Sequence, residues 1–515
     1  MRIRTRSIIL TVSSAVTHAV AVVTVMILVR LISKEDFGSY RQVLLVAGFI
    51  VGLVGLDLPG SLFYFIPKLG LAKRRLVVTQ TLGLAMIVAA GTAAAMYFGA
   101  GPIAVWMNNP ALESLLRVFC LFPFASLVLS QLPPFMISVD RPLAAGTYTL
   151  LAAVFRVAPL IVATATGESL ETALRWLVIS CIGLALIGTL DMYRLSPRGK
   201  QFVDGRLILM QLSYVWPMLA ASLVAVLSRQ FDKLIISMFF DPEDYAVYSC
   251  GAVEVPLIGI LSSSIAAAIM PNMVSAWEKG DKAGALALWM EAVRKTSLVV
   301  YPAFAICAVS AADLMVLLFT QAYRAAAWPF LVYLLDLPVR VAVYGAVLRS
   351  AGKTRPIAVS AALGLAMNAV VGIALVYLGR KAFPETILAF VAPAVGSTAA
   401  IYAGTFYLLI CISKASGRPL RRVMPWKDLG HAMAVGLGAA IPTLALPLGG
   451  LPVEARLAIR GAAFAVLLLV LVYATRLLRP DEKELLWLPL HHARRLFRRP
   501  AAAEPPGSDS GKGKP

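Results

Sequence analysis

The chain has 515 residues, 59% of them hydrophobic and only 14% charged, with a mean hydropathy of +0.81. Soluble domains carry about 45–50% apolar and about 25% charged residues, so a water-soluble multidomain enzyme is excluded. The formal charge of +20, from 47 Lys and Arg against 27 Asp and Glu, would suggest a nucleic-acid partner in a soluble protein; here its meaning turns on where the cations sit relative to the apolar runs.

A bilayer core is about 30 Å thick and a helix rises about 1.5 Å per residue, so a span needs roughly 20 mostly apolar residues. Such windows predict an all-α integral membrane protein of about fourteen transmembrane helices. They lie at 8–32, 42–66, 77–99, 115–138, 143–165, 173–193, 210–240, 246–271, 297–319, 326–348, 357–378, 386–412, 430–448 and 457–478. The seventh is long and carries charges. The thirteenth is short, Gly-rich and interrupted by Pro442 and Pro447.

The segments between spans alternate in charge. Arg2, Arg4 and Arg6 precede the first span, Lys68, Lys73, Arg74 and Arg75 follow the second, Arg194, Arg198, Lys200 and Arg206 follow the sixth, and Lys414, Arg418, Arg421, Arg422 and Lys427 follow the twelfth. With the N-terminus in the cytoplasm, 33 of the 47 cations fall on the cytoplasmic side and 7 on the other. That is the positive-inside distribution. It predicts a multi-pass protein of the cytoplasmic membrane with both termini inside, and it accounts for the basic charge without nucleic acid, which would require a soluble basic face with stacking aromatics. The first span reads as an uncleaved insertion signal, because Val29-Arg30-Leu31 stands where a small-residue cleavage site would be.

Cys120, Cys181, Cys250, Cys307 and Cys411 are odd in number, scattered through apolar spans and without CxxC spacing, so neither disulfides nor a metal is expected. No cofactor and no catalytic residue is expected either, and no GxxxxGKS loop is present for ATP. Residues 480–499 set leucines and Trp487 beside four arginines, as in an interfacial helix on an anionic leaflet. Residues 500–515 have the composition of a disordered tail.

An internal repeat is visible. Ser33-Lys34-Glu35-Asp36-Phe37-Gly38-Ser39-Tyr40 follows span one, and Asp241-Pro242-Glu243-Asp244-Tyr245-Ala246-Val247-Tyr248 follows span seven, 208 residues later. Arg141-Pro142 opens span five and Arg355-Pro356 opens span eleven, 214 residues later. Two copies of six spans enter the membrane the same way up. Such parallel repeats place a binding site between two halves near the midplane. The expected organisation is an N-terminal six-helix lobe at 1–200, a C-terminal six-helix lobe at 207–412, two additional helices at 427–478, and a basic interfacial helix with a cytoplasmic tail at 480–515.

The same residues carry a family resemblance. Val29 to Tyr40 resembles the "ARLLSPEEFGxY" stretch of bacterial polysaccharide flippases of the Wzx-like group, Phe231-Asp232-Lys233-Leu234-Ile235-Ile236 through Tyr248 is similar to that group's second-half motif, and Leu348 to Thr354 resembles its Gly-Lys-Thr turn. The likeness covers roughly residues 5–420. It implies a member of the multidrug/oligosaccharidyl-lipid/polysaccharide exporter superfamily with two six-helix lobes and V-shaped alternating access. The implied substrate is an undecaprenyl-diphosphate-linked oligosaccharide, and a polysaccharide polymerase and glycosyltransferases are implied working partners beside the lipid bilayer. Ala246 stands where the family usually has Gly. The Arg-rich first-helix pattern of the lipid II flippase branch is missing, which favours capsule, exopolysaccharide or O-antigen units.

An ionisable residue at mid-membrane costs at least about 2.5–3.5 kcal/mol and marks a functional candidate. Arg229, Asp232 and Lys233 lie roughly 12–18 Å below the outer loop at 1.5 Å per residue, spaced to share a helix face. Arg156 is mid-span five, Asp336 and Arg340 form an i, i+4 pair in span ten, Glu254 is in span eight and Asp57 in span two. Guanidinium groups bind phosphate oxygens bidentately, so Arg156, Arg229, Lys233 and Arg340 are the expected lining of a diphosphate-binding cavity. Asp232, Glu254, Asp336 and Asp57 are the expected coupling or charge-pairing acids. The competing reading is closed structural pairs, Asp232 with Arg229 or Lys233 and Asp336 with Arg340. Arg30 and Arg117 are expected to snorkel. At the level of function, the alternatives are a cation-coupled multidrug exporter and a membrane polysaccharide polymerase.

Overall fold

The computed structural model describes residues 3–54, 58–197, 203–253, 256–382 and 387–479; within these, the side chains of 3–11, 14, 53–54, 72, 216–225, 229, 256–263 and 267 are not described. The described residues are almost entirely helical and contain no strand. The helices are α1 (Ile3–Leu31), α2 (Lys34–Val54), α3 (Leu58–Trp106), α4 (Leu112–Phe119), α5 (Phe122–Ser138), α6 (Pro142–Ala165) and α7 (Leu170–Arg194). There follow α8 (Gly205–Phe239), α9 (Pro242–Gly251), α10 (Pro256–Glu278), α11 (Lys282–Val309), α12 (Ala311–Phe319), α13 (Ala327–Leu334), α14 (Leu337–Arg340), α15 (Tyr344–Ser350), α16 (Arg355–Ala382) and α17 (Leu388–Ser416). Last come α18 (Trp426–Ala440) and α19 (Val453–Ala474).

Among the described residues seven helices are long and apolar enough to cross a membrane, and up to nine if each of two bent pairs is one span. The count of about fourteen expected from hydropathy is not confirmed among the described residues, and at several of the expected spans a local reason is visible. Expected span four is split into α4 and α5, bent by 49°, with Pro123 in the first turn of α5. Expected span ten is split at Leu335–Asp336 and bent by 40°, with Pro338 opening α14. Proline lacks the N–H that would continue the ladder. Expected span thirteen becomes a 15-residue α18 and a short 3-10 turn containing Pro442. Conversely, α3 joins the end of expected span two to span three across a break at Gly70, whose φ of 66° is left-handed and suits glycine. The expected interfacial helix and tail at 480–515 lie outside the described residues.

The two copies of the repeated motif open helices in the same way. The Ser33 hydroxyl accepts the Asp36 N–H at 3.0 Å, and 208 residues later Asp241 Oδ1 accepts the Asp244 N–H at 2.9 Å. Each cap satisfies an orphan N–H of a first turn. Behind the caps, Phe37 and Tyr245, and Tyr40 and Tyr248, are all buried. Helices α2 and α9 then pack on each other so closely that a Cβ at Gly38 would lie 1.8 Å from the Pro242 carbonyl oxygen. The Arg41 Nε lies 3.3 Å from the Ser249 hydroxyl, the residue at its own repeat offset. A buried polar chain runs alongside: Asn109 donates to Ser39 and Gln42, and Gln42 donates to Ser237 of α8 at 2.8 Å.

Arg30 does not snorkel. Its guanidinium donates to the Leu317 and Leu318 carbonyls, both at 2.9 Å, and so satisfies the open C-terminal end of α12. Arg117 pairs with Glu113 at 2.6 Å and lies over the Tyr97 ring. The C-terminal pair α18 and α19 is fastened at both ends. Buried Arg294 of α11 holds Asp428 at 2.6 Å and the Leu477 carbonyl at 2.9 Å, while Asp313 of α12 receives Arg456 and Arg460, each at 2.9 Å. Helices α16 and α17 pack along an extended seam, where a Cβ at Gly396 would come within 2.7 Å of the Gly372 Cα. Small residues allow such approach where lipid supplies no hydrophobic driving force between helices.

Candidate functional site: a buried ionic cavity around α8, α13 and α14

Asp232 sits on α8 with no exposed surface. Its Oδ2 accepts the hydroxyl of Tyr248 at 3.1 Å and also that of Tyr333, from α9 and α13 respectively. Its Oδ1 is buried without a hydrogen-bond partner among the described residues. The carboxylate is thus half-solvated by two phenols and half not, a costly state in a low-dielectric setting.

The adjacent residue, Lys233, points about 100° further round the helix into a cavity of about 350 Å³ that Arg340 also lines. Ser228 and Ser397 contribute hydroxyls to its wall, and Gly364 of α16 and Gly404 of α17 line it where the two helices pack closely, a Cβ at Gly404 lying 2.9 Å from the Ser360 hydroxyl. Tyr333 belongs both to this wall and to the Asp232 shell, so the carboxylate and the cavity share a side chain.

Arg340 reaches this position because the tenth span is broken. Asp336 lies at the bend before α14, is 2% exposed, and stands 3.8 Å from the Arg340 Nη2 one turn later. Backbone carbonyls around the bend are taken up by neighbours: Tyr402 donates to Leu335 at 2.8 Å and Tyr301 to Pro338 at 3.1 Å, while Thr398 donates at 3.3 Å to Val332, which also accepts the Leu335 N–H. Broken helices are tolerated at membrane depth where protein or a water-lined cavity satisfies them. They are common at the binding sites of transporters.

Asn368 of α16 is 1% exposed, and neither end of its amide has a hydrogen-bond partner among the described residues. It lies one turn before Gly372, whose face is covered by Ile235, itself one turn after Asp232. A second underused polar group therefore lies on the α8–α16 seam.

The structure thus brings Lys233, Arg340, Asp336 and Asp232 into one neighbourhood. Arg156 is not part of it: its guanidinium is exposed and lies 5.3 Å from the Phe122 ring centroid. Arg229 is on α8, but its side chain is outside the described residues, as are Glu254 and Asp57. On Oδ2 Asp232 accepts the Tyr248 and Tyr333 hydroxyls; the suggested pairing with Arg229 involves a side chain outside the described residues, and the pairing of Asp336 with Arg340 is present. Sequence reasoning did not single out Tyr248, Tyr333, Asn368, Ser397 or Tyr402. The one available signal was Tyr248, which closes the repeated motif.

Outside the membrane segments, burial together with Asp241 and Glu243 raises the Asp244 carboxyl above the usual range, and Lys34 draws it partly back. This acid lies in the first turn of α9, behind the Asp241 cap.

The family model of polysaccharide biosynthesis proteins matches residues 3–277, just over half of the chain. No curated protein matches in sequence. Among solved structures, the lipid II flippase MurJ in its inward closed conformation is similar with a TM-score of 0.70 and 12% identity, over 92% of this chain and 100% of that one. An inward-facing MATE family transporter of the MOP superfamily is similar with a TM-score of 0.56 and 15% identity, over 78% and 96%. A MOP superfamily transporter from Pyrococcus furiosus gives 0.51 and 13%, over 80% and 96%. At these identities the likeness establishes the fold. The chain belongs to the polysaccharide biosynthesis protein family and is a multi-pass membrane protein with the fold of the MOP superfamily transporters.

Proposed function

We propose that the protein is a flippase that carries undecaprenyl-diphosphate-linked oligosaccharides across the cytoplasmic membrane for capsule, exopolysaccharide or O-antigen synthesis. It works by alternating access between a lobe at 1–200 and a lobe at 207–412, with both termini in the cytoplasm. The observation that carries this reading is the cavity in which Lys233 and Arg340 stand beside the buried acids Asp232 and Asp336; its lining residues all belong to 207–412, so the charged site lies within the C-terminal lobe and not between the lobes as the repeat led one to expect. A lipid diphosphate cannot cross hydrocarbon uncompensated, and a lysine and a guanidinium supply point-charge and bidentate contacts to its oxygens. Arg156, which lies outside this cavity, and Arg229 are the further cations of the proposed path.

Asp232 is the proposed coupling group. Its Oδ1 has no hydrogen-bond partner among the described residues, and Tyr333 links it to the cavity wall. Loading a proton or small cation there alters the charge balance beside Lys233, and release of the phosphate and release of the coupling ion become linked through that balance. Asp336 holds Arg340, and Glu254 and Asp57 are proposed charge-pairing groups.

A second reading has its own support. Two buried carboxylates could receive an organic cation, as expected of a multidrug exporter. Proteoliposomes containing the purified chain separate the two: the flippase reading predicts outward appearance of undecaprenyl-diphosphate oligosaccharide and no export of cationic dyes. Dye export without movement of lipid-linked sugar would establish the exporter instead.

A further inference from the structure

A second cavity, of about 680 Å³, lies between α3, α5 and α7 and shares no lining residue with the ionic site. Its walls are apolar, with Met86, Phe124, Val128 and Ile182 among them, and Thr79, Thr189 and Tyr193 gather at one end. Gly83 faces open space: a Cβ there would meet nothing within 4 Å. From Ile182 to Tyr193 the groove follows α7 for about 16 Å at 1.5 Å per residue, close to one leaflet of a core about 30 Å thick.

The polar end is strongly cationic. The adjoining ends of α3 and α7 carry Lys73, Arg74, Arg75 and Arg194 against one acid, Asp191. Arg75 lies 5.2 Å from the Tyr193 ring centroid, which fixes a guanidinium at the mouth of the groove. Arg74 donates to the Leu195 carbonyl at 3.0 Å and ties the two helix ends together. Asp191 is already engaged, by Arg194 at 3.5 Å and by the Tyr148 hydroxyl. Lys73, Arg74 and Arg75 also stand in the first turns after the Gly70 break, where the helix dipole disfavours positive charge. An anion at the mouth relieves that opposition and accepts charge-assisted hydrogen bonds.

We propose that this groove is a binding site for an anionic bilayer phospholipid, one acyl chain lying between α3, α5 and α7 and its phosphate at Lys73 and Arg75. A chain of one-leaflet length fits the groove, and a charged headgroup fits its mouth. In the orientation proposed above, Lys73 and Arg75 are on the cytoplasmic side and the lipid belongs to that leaflet; occupancy of the groove does not rest on that orientation.

The test is native mass spectrometry of the purified full chain incubated with phosphatidylglycerol or phosphatidylcholine of matched chains, scoring the last lipid retained. The wild type is expected to retain phosphatidylglycerol over phosphatidylcholine by about 30-fold, the preference two cations give at a membrane surface. Lys73→Gln with Arg75→Gln is expected to bring the two lipids near parity while a chain still binds. Gly83→Phe, which fills open space, is expected to lose both lipids while the protein keeps its helical circular-dichroism signal. The proposal is overturned if the Lys73/Arg75 variant keeps the full preference, or if folded Gly83→Phe retains as much lipid as the wild type. Should Gly83→Phe not fold, the mouth variant alone decides. Neither arm reads transport, so failure here is separate from failure of the flippase reading.

Discussion

Asp232 accepts two tyrosine hydroxyls on one oxygen and none on the other, beside a cavity that contains a lysine and an arginine. Hydrogen bonds between membrane helices are worth about 0.6 kcal/mol on average and up to about 1.7 kcal/mol. Tyr333→Phe should therefore lower stability by about 1 kcal/mol, read as a fall in the detergent melting temperature, while leaving the helical content intact. Asp232→Asn should leave the protein folded but abolish the dependence of transport on the ion gradient, measured in proteoliposomes with and without that gradient; full gradient dependence in this variant would remove Asp232 from the coupling role. Asp336 and Arg340 form a partly buried pair, for which loss of one partner is worse than loss of both. A double-mutant cycle should show Arg340→Ala alone destabilising more than Arg340→Ala with Asp336→Ala; additive losses would mean that the 3.8 Å pair carries no coupling.

At the scale of elements, the repeated motif begins α2 and α9 with equivalent side-chain caps, and Ser33→Ala and Asp241→Ala should each cost about 1 kcal/mol, detectable by thermal unfolding. The α16–α17 seam should tolerate far less. Gly396→Val places a side chain 2.7 Å from the Gly372 Cα, and overpacking of this kind costs about 1–3 kcal/mol or more. The Asp244 carboxyl has its pKa raised by burial and by Asp241 and Glu243. A group that holds its proton more tightly in the folded state stabilises it at low pH, and that contribution is lost as pH rises through the raised pKa. The melting temperature should accordingly fall across the carboxylate range as pH rises, by less in Asp244→Asn.

These elements also mark what could be read from the chain alone. Hydropathy located the apolar runs, and Glu35, Asp36 and Tyr40 against Glu243, Asp244 and Tyr248 disclosed the repeat, because caps and buried aromatics are local requirements. The bend at Asp336 was only half legible: Pro338 signalled a break, but the tyrosine and threonine hydroxyls that satisfy its carbonyls come from α11 and α17. The Arg30 contact was not legible, since its acceptors are backbone carbonyls of α12 that any residue would present. Nor was the Asp232 shell, because Tyr333 lies 101 residues away and a tyrosine in an apolar span is unremarkable by itself.

For the molecule as a whole, α2 and α9 meet at equivalent residues of the two repeats, Arg41 on Ser249, and further contacts join the halves beside them, Gln42 of α2 on Ser237 of α8 and Arg30 of α1 on the end of α12. If alternating access separates these contacts, a covalent bridge across them should stop turnover. Arg41→Cys with Ser249→Cys, in a background lacking the five native cysteines and bridged by a short bifunctional methanethiosulfonate, should lose transport and recover it on reduction. The most direct test of the central claim is an assay in liposomes containing the purified chain and labelled undecaprenyl-diphosphate oligosaccharide on one face. The account predicts protein-dependent appearance of the sugar on the other face, lost in Lys233→Ala with Arg340→Ala. Movement of the sugar at the wild-type rate in that double variant, or no movement with the wild type under any ion gradient, would contradict it.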